Sequence, residues 1–287
     1  MPPGIDLHLH TVFSDGQRTP AELVDLLAAT GVRTAALTDH DTLEGIELFE
    51  EAARPQGIGV IPGVEVSVEH EGQDLHILAY WVDRRNPALA AMLQRVRDSR
   101  RLRLHAMVSR LHEIGIPVEE KEVLGRAAGA ASVGRVHLAQ ELVEKGWVGH
   151  HGDVFRYYIG ADGPAYRPKQ TVGIEECLET IRAAGGLAVL AHPGVYQLEG
   201  VLDRLLAGGL DGLEVWHPSH TAEDMTRFAA LAQEHGLLQT GGTDYHGDRD
   251  GEMMPGTMDL EPGMLESLER ARRARFPAGG RTSSEDA

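Results

Sequence analysis

The 287-residue sequence contains one cysteine, three tryptophans and no long hydrophobic run. A single cysteine excludes a disulfide framework within the chain, and we interpret Cys177, which lies in a helix-like segment, as a buried structural thiol. No apolar stretch approaches the roughly 18 residues of a membrane span, and no charged-then-apolar leader opens the sequence. We therefore expect a cytoplasmic protein with no membrane partner.

Positive charge is also scarce, with 27 Lys and Arg residues against 44 Asp and Glu residues and a net charge of −17. Binding to a nucleic-acid backbone depends on basic side chains that neutralise phosphates, so this balance argues against binding of long nucleic acids. Residues 86–168 differ from the rest, because they carry 12 basic and 9 acidic residues, which leaves 15 basic and 35 acidic residues elsewhere. An acidic body with a mildly basic middle segment favours a metal-rich site under a cover that attracts anions.

The local patterns predict an α/β protein with an interruption. Strand-like and helix-like segments alternate before residue 86 and after residue 168, which is typical of parallel βα units. Residues 86–168 show no strand alternation and open with a long basic amphipathic helix, PALAAMLQRVRDSRRLRLHAMVSRLHEIG. We predict a barrel domain of residues 1–85 and 169–278, a helical insertion of residues 86–168 and a disordered tail of residues 279–287. The insertion could also be a purely structural cap.

Histidines and carboxylates recur where the predicted strands end. In DLHLHTVFSDG, His8 and His10 point to the same face of one strand, although a single pair of this kind could lie on a solvated face by chance. The C-terminal ends of strands in a parallel α/β barrel form one face, so the other side chains should join this pair there. The complete set comprises six histidines and three carboxylates, namely His8, His10, Asp15, His40, Glu65, His76, His192, Asp244 and His246.

Nine potential ligands exceed the needs of one ion, since Zn²⁺ or Mn²⁺ takes roughly four to six ligands. Two or three ions that share a bridging carboxylate fit the set better. Three carboxylates facing three divalent cations would leave the site positive, which suits a phosphate group. Clustered divalent ions polarise a phosphoryl oxygen and lower the pKa of a bound water, so the pattern predicts phosphoester hydrolysis.

Six segments, HLHTVFSDG, LTDHDT, GVEVS, LHILAY, LAHPG and GTDYHG, resemble in this order the motifs of the PHP (polymerase and histidinol phosphatase) superfamily. The resemblance covers about residues 4–85 and 170–250. It implies a distorted seven-stranded (β/α) barrel with three divalent metal ions, Mn first and Fe or Zn as the alternatives. The implied ligand sets are His8, His10, Glu65 and Asp244 for the first ion, Glu65, His76 and His192 for the second, and Asp15, His40 and His246 for the third.

The middle segment is similar to one subgroup of this superfamily. ASVGRVHLAQELVEKG, AYRPKQTV and EVWHPSH resemble the insertion and a following motif of nucleoside 3′,5′-bisphosphate and AMP phosphatases. The resemblance implies that Arg135 and Lys169 contact the substrate phosphate and that His220 contacts the substrate or its leaving group, so that His192, His220 and Arg135 are candidate catalytic residues. Arg135 could instead be a surface residue, and His217 is as easily structural.

The expected function is a metal-dependent phosphoesterase that hydrolyses phosphate esters of nucleotides through a metal-activated hydroxide. The expected substrates are nucleoside 3′,5′-bisphosphates, AMP or short oligonucleotide ends. Three tyrosines of the insertion (Tyr157, Tyr158 and Tyr166) could stack on a base, or could pack in a core. The alternatives are a histidinol-phosphate phosphatase and a non-catalytic metal-binding scaffold.

Overall fold

The computed structural model describes residues 4–127, 129–169, 171–248, 253–261 and 263–276. The strands are β1 (Gly4–Asp6), β2 (Val32–Leu37), β3 (Gly59–His70), β4 (Gln73–Tyr80), β5 (Leu187–Leu190), β6 (Gly212–Trp216) and β7 (Leu238–Gly241). The α-helices are α1 (Pro20–Thr30), α2 (Ile46–Gln56), α3 (Pro87–Glu113), α4 (Glu120–Arg126), α5 (Arg135–Glu144), α6 (His151–Val154), α7 (Ile174–Ala183), α8 (Val201–Gly208), α9 (Ala222–Glu234) and α10 (Met264–Arg275).

The seven strands form one sheet in the order of the sequence, and the sheet curls until its two ends meet. Leu9, just beyond β1, pairs in parallel with Tyr245, just beyond β7, and the backbone N–H of His10 donates to the carbonyl of Tyr245 at 3.1 Å. Gly242 makes this approach possible, because a Cβ atom there would lie 2.4 Å from the backbone nitrogen of His8. The predicted distorted seven-stranded (β/α) barrel is confirmed.

One strand, β4, is antiparallel to both of its neighbours and so differs from the prediction of parallel βα units. β3 and β4 form an antiparallel hairpin, and β4 is also antiparallel to β5. The hairpin turns at Glu71 and Gly72, both at positive φ, as a two-residue hairpin turn of type I′ requires. His76 therefore lies within β4 and reaches the site from a strand of opposite direction, so its prediction as a residue at a C-terminal strand end was wrong.

Residues between β4 and β5 are mainly helical, as expected for the insertion. Helix α3 begins where the Asn86 side chain accepts a hydrogen bond from the backbone of Leu89 and Pro87 occupies the first turn. Buried apolar residues from Leu104 to Ala165 form a cluster of their own. The division into two domains stays a prediction, and residues 279–287 lie outside the described residues. Among the described residues, we found no helix long and apolar enough to cross a membrane.

Candidate metal centre

Glu65 lies at the centre of the histidine cluster. Its two carboxylate oxygens face different histidines, with Oε1 2.7 Å from His76 Nδ1 and 3.0 Å from His192 Nε2. Oε2 lies 2.9 Å from His40 Nδ1, 3.2 Å from His10 Nε2 and 3.3 Å from His8 Nε2. This arrangement suits a carboxylate that bridges ions, because each oxygen has its own set of imidazole neighbours.

Four side chains form the tightest candidate site. His8 Nε2 and His10 Nε2 each lie 3.1 Å from Asp244 Oδ1, and both lie close to Glu65 Oε2. Ligand atoms around one divalent ion, with bonds of about 2.0–2.1 Å, are separated by about 3–3.4 Å. The spacing of these atoms therefore matches a single ion, and the four residues are the predicted first ligand set.

Besides a group of His8, Glu214 and His217, two further groups of candidate ligand atoms in the described residues adjoin the first. One combines His10 with Asp15, His40 and His246, which is the predicted third set with His10 added. Its atoms lie farther apart, since His246 Nε2 is 3.3 Å and His40 Nε2 is 3.8 Å from the Asp15 carboxylate. The other group is His40, Glu65 and His76. His192, predicted in place of His40, hydrogen-bonds to Glu65 instead.

Unpartnered buried atoms test whether this cluster suits metal ions. Within the part of the chain that the structure describes, six buried nitrogen and oxygen atoms of the cluster have no hydrogen-bond partner: His8 Nε2, His10 Nε2, His40 Nδ1, Glu65 Oε2, His76 Nδ1 and Asp244 Oδ1. A buried polar atom without a partner is costly, and here the six atoms converge on the same space. Imidazole nitrogens with carboxylate oxygens are also the donor set that Zn²⁺, Mn²⁺ and Fe²⁺ accept. The residues fit divalent metal ions.

The electrostatics of the cluster keep its carboxylates ionised. Burial alone would raise the pKa of Glu65, but the charges of His40 and His76 hold it well below its ordinary value. The pKa of Asp244 is likewise held low against burial, chiefly by His8 and His246. The carboxylates are therefore available to bind cations.

Two residues that the sequence did not single out orient the histidines. His8 Nδ1 donates to Glu214 Oε1 at 2.9 Å, which leaves His8 Nε2 directed at the cluster. The hydroxyl of Tyr196 lies 3.0 Å from His192 Nδ1 and accepts a hydrogen bond from the backbone of His76. Glu214 lies between the buried residues Leu213 and Val215 on β6, and an acid within such an apolar stretch was the available sequence signal.

Helix α3 contacts the barrel beside the cluster. Arg100 Nε donates to Asp41 Oδ2 at 2.5 Å and its Nη2 to Ser67 Oγ at 2.8 Å, while Arg97 Nη1 donates to the carbonyl of Asp41. Asp41 follows His40 and adopts a positive φ of 55°, a conformation rare for residues with a Cβ atom. The insertion is thus attached to the turn that carries His40.

A cavity of about 150 Å³ lies between the cluster and the insertion. Asp15, His40 and His76 line it from the barrel. Its other polar lining residues include Asp74 and a group of basic side chains from the insertion and the segment after it, Arg100, Arg103, Arg135 and Lys169. The structure therefore places Arg135 and Lys169 beside the candidate metal ligands.

The remaining predicted residues lie outside this cavity lining. His220 is 5% exposed, and its Nδ1 bonds to the carbonyl of Val215 while its Nε2 accepts from the backbone of Gly194. Both ring nitrogens are thus occupied by backbone groups, which favours a structural role for His220. His217 Nε2 lies 3.3 Å from Asp244 Oδ2.

The three tyrosines take different positions. Tyr157 is 52% exposed, and Tyr158 packs against the buried cluster of the insertion. Tyr166 has the guanidinium of Arg103 5.3 Å from its ring centroid. Tyr166 also lines a wider groove of about 800 Å³ that shares Asp74 and Arg135 with the cavity.

Comparison with known proteins agrees with this geometry. The model of the PHP domain matches residues 6–238. The chain belongs to the PHP family. It is 38% identical over 264 residues to the 3′,5′-nucleoside bisphosphate phosphatase of Chromobacterium violaceum, a match that covers 90% of this chain and 93% of the relative. It is 37% identical over 246 residues to a 5′-3′ exoribonuclease of Haemophilus influenzae, covering 84% of this chain and 89% of the relative.

A solved structure shares the fold. An amidohydrolase from Chromobacterium violaceum, determined with bound sulfate and without metal, superposes with a TM-score of 0.87 at 35% identity and covers 95% of this chain and 96% of its own. The predictions of a PHP barrel and of a phosphoesterase are confirmed. The roles of the individual site residues stay predictions.

Proposed function

We propose that this PHP protein hydrolyses phosphate esters of nucleotides, with nucleoside 3′,5′-bisphosphates and short 5′-phosphorylated oligonucleotides as its substrates. Two relatives that align over most of the chain act, by their names, on a nucleoside bisphosphate and on RNA ends. The cavity beside the candidate metal centre supports the same class of substrate, because it joins a metal-binding cluster to a separate group of cations.

That group, which we call the cation cluster, consists of Arg103, Arg135 and Lys169. Among the residues that the structure describes, Asp74 is the one carboxylate within ion-pairing distance of all three, at 3.5 Å from Arg103 Nη1 and 3.9 Å from both Arg135 Nη2 and Lys169 Nζ. Arg103 Nη2 is buried and has no hydrogen-bond partner among the described residues. Arg103 and Lys169 are 8% and 6% exposed. Three cations facing one carboxylate leave an excess of positive charge in a poorly solvated place, which favours an anionic ligand.

The observation that carries the proposal is the separation of these two sites within one cavity. The nine candidate ligands would hold the reacting phosphate through three divalent ions, with Mn²⁺ the first choice and Fe²⁺ or Zn²⁺ the alternatives. When bound, such ions polarise a phosphoryl oxygen and lower the pKa of a coordinated water toward neutrality. The cation cluster would bind the second, non-reacting phosphate through charge-assisted hydrogen bonds.

The chain's own residues would bind the phosphate, orient the candidate ligands and exclude water. Arg135 offers a planar guanidinium that can bind two phosphate oxygens, and Phe155 supports it, with the Arg135 carbon 5.5 Å from the ring centroid. Glu214 and Tyr196 fix the orientation of His8 and His192. The segment before α5 lines the cavity with Val133 and Gly134, and its backbone donates to the carbonyl of Phe13 in the barrel. Exclusion of water would strengthen each of these electrostatic contacts.

A substrate panel with Mn²⁺-loaded protein tests the proposal. It should compare adenosine 3′,5′-bisphosphate, AMP, a short 5′-phosphorylated RNA and histidinol phosphate. We expect kcat/KM for the bisphosphate or the RNA end to exceed that for histidinol phosphate at least a hundredfold, or about 2.7 kcal/mol. Equal or reversed preference would favour the histidinol-phosphate alternative, and no hydrolysis of any ester would favour the non-catalytic scaffold. Glu65→Gln serves as the control for contaminating phosphatases.

A further inference from the structure

Asp74 is an unusual neighbour for a phosphate-binding site. Its carboxylate lies among Arg103, Arg135 and Lys169, and its side chain is 23% exposed toward the cavity. The closest of these contacts, at 3.5 Å, is longer than an ordinary charged hydrogen bond. Asp74 therefore balances the charge of the cations without using up its hydrogen-bond acceptors.

A carboxylate in this position opposes the binding of a phosphate, because like charges repel at short range. An acceptor of this kind is useful only if the substrate brings a hydrogen-bond donor to it. In a nucleotide, the groups nearest to the phosphates that can donate are the sugar hydroxyls. Carboxylates are established partners of ribose hydroxyls in nucleotide-binding sites.

The position of Asp74 along the strand agrees with such a contact. Asp74 and His76 are alternate residues of β4, so their side chains leave the same face of the strand about 6.5–7 Å apart. His76 Nδ1 faces Glu65 in the candidate metal centre, whereas Asp74 faces the cation cluster. Asp74 thus lies beside the cation cluster, where the second phosphate would bind, and on the face of β4 that leads to His76 and the candidate metal centre. In a nucleoside 3′,5′-bisphosphate the group between the phosphates is the sugar.

We propose that Asp74 accepts a hydrogen bond from the 2′-hydroxyl of the substrate and so selects ribonucleotides over deoxyribonucleotides. This inference rests on the proposed function, since it requires a nucleotide in the cavity. The 2′-hydroxyl is the group by which a protein distinguishes RNA from DNA at a single position. Asp74 also lines the wider groove beyond the cavity, which leaves room for the base or for a following nucleotide.

The test compares adenosine 3′,5′-bisphosphate with its 2′-deoxy counterpart on the Mn²⁺-loaded protein. We expect the unmodified protein to favour the ribonucleotide by at least tenfold in kcat/KM. Asp74→Ala should reduce this ratio to within about threefold, mainly through a slower reaction of the ribonucleotide, because the deoxyribonucleotide never made the contact. A role confined to charge balance would instead change both substrates equally and leave the ratio intact.

Two further variants serve as controls for the Asp74→Ala result. Asp74→Asn keeps the shape and one acceptor oxygen, so it should fold like the unmodified protein and retain part of the preference. Glu51→Gln removes an exposed carboxylate from α2, outside the lining of both the cavity and the groove, and should leave the ratio unchanged. An unmodified protein that hydrolyses both bisphosphates equally well, or an Asp74→Ala variant that keeps the preference, would overturn the role of Asp74 while the proposed function stands. Failure to hydrolyse any nucleotide would overturn both.

Discussion

Glu214 fixes the imidazole of His8 in one tautomer. Its Oε1 accepts the hydrogen bond from His8 Nδ1 at 2.9 Å, both side chains are fully buried, and Oε2 accepts from the backbone of His192 at 2.7 Å. With Nδ1 committed as the donor, His8 Nε2 presents its lone pair toward Glu65 and Asp244. One carboxylate on β6 therefore organises a candidate ligand on the first strand segment and another after β5.

Glu214→Gln should weaken metal binding about 10–100-fold, since partners of ligating histidines typically contribute that much. An amide can still fill the space, but it cannot accept as strongly from His8. Isothermal titration calorimetry of the metal-free protein with Mn²⁺ would measure the change in affinity. Glu234→Gln, an exposed carboxylate near the end of α9, is the matched control. Unchanged affinity in Glu214→Gln would show that the hydrogen bond is not needed to orient His8.

Glu65→Gln should be among the most damaging substitutions, because Glu65 carries two oxygens that face five histidines. Protein loaded with excess Mn²⁺ and then desalted should contain more than two ions per chain by elemental analysis. We expect the variant to lose at least one of them and nearly all activity. A firm content of one ion in the unmodified protein would exclude the trinuclear proposal.

The sequence allowed prediction of those candidate metal ligands that lie in motifs at the ends of strands. His8, His10 and Asp244 could be predicted to converge because parallel strands bring their ends together. The direction of β4 was not recognised, because Glu71–Gly72 is not one of the dipeptides that typically mark a two-residue hairpin turn. Arg103 could not be assigned, since a basic run on a long helix looks like a solvated face until tertiary packing decides which arginines turn inward. Asp74 was missed for the same reason, as its importance depends on cations from distant segments.

Arg135→Ala should raise KM for the bisphosphate at least tenfold, because a lost charge-assisted hydrogen bond costs about 1.5–3 kcal/mol. Metal content should not change, since Arg135 belongs to the cation cluster and is not one of the candidate ligands. Steady-state kinetics with elemental analysis would check both expectations. Arg156→Ala removes an exposed arginine of the same insertion and should behave like the unmodified protein. If kcat and KM of Arg135→Ala equal those of the unmodified protein, the insertion is only a structural cover.

Lys169 should make substrate binding depend on pH. Burial, with the charge of Arg100, lowers the pKa of Lys169 to about 7 despite the opposing charges of Asp74 and Asp41. The ammonium that attracts phosphate is therefore present below pH 7 and is lost as the pH rises. With saturating Mn²⁺, KM should increase between pH 7 and 9. In Lys169→Arg, whose guanidinium stays protonated, KM should remain nearly constant over this range. A constant KM in the unmodified protein would exclude Lys169 as a titrating contact.

The ion pair between Arg100 and Asp41 should determine how firmly the insertion is attached to the barrel. Asp41 is fully buried and the Arg100 side chain is 11% exposed, so Arg100→Ala would leave a buried carboxylate without its cation. Breaking a buried pair in this way costs about 3–5 kcal/mol.

Chemical denaturation should reveal this loss of unfolding free energy. Arg95→Ala, also on α3, breaks an exposed pair with Glu176 of α7 and should cost no more than about 1 kcal/mol. Adding Asp41→Asn to Arg100→Ala should restore part of the stability, because the uncompensated charge is then absent. Equal, small effects of Arg100→Ala and Arg95→Ala would contradict this account and would place the attachment of the insertion in its backbone contacts with Phe13 instead.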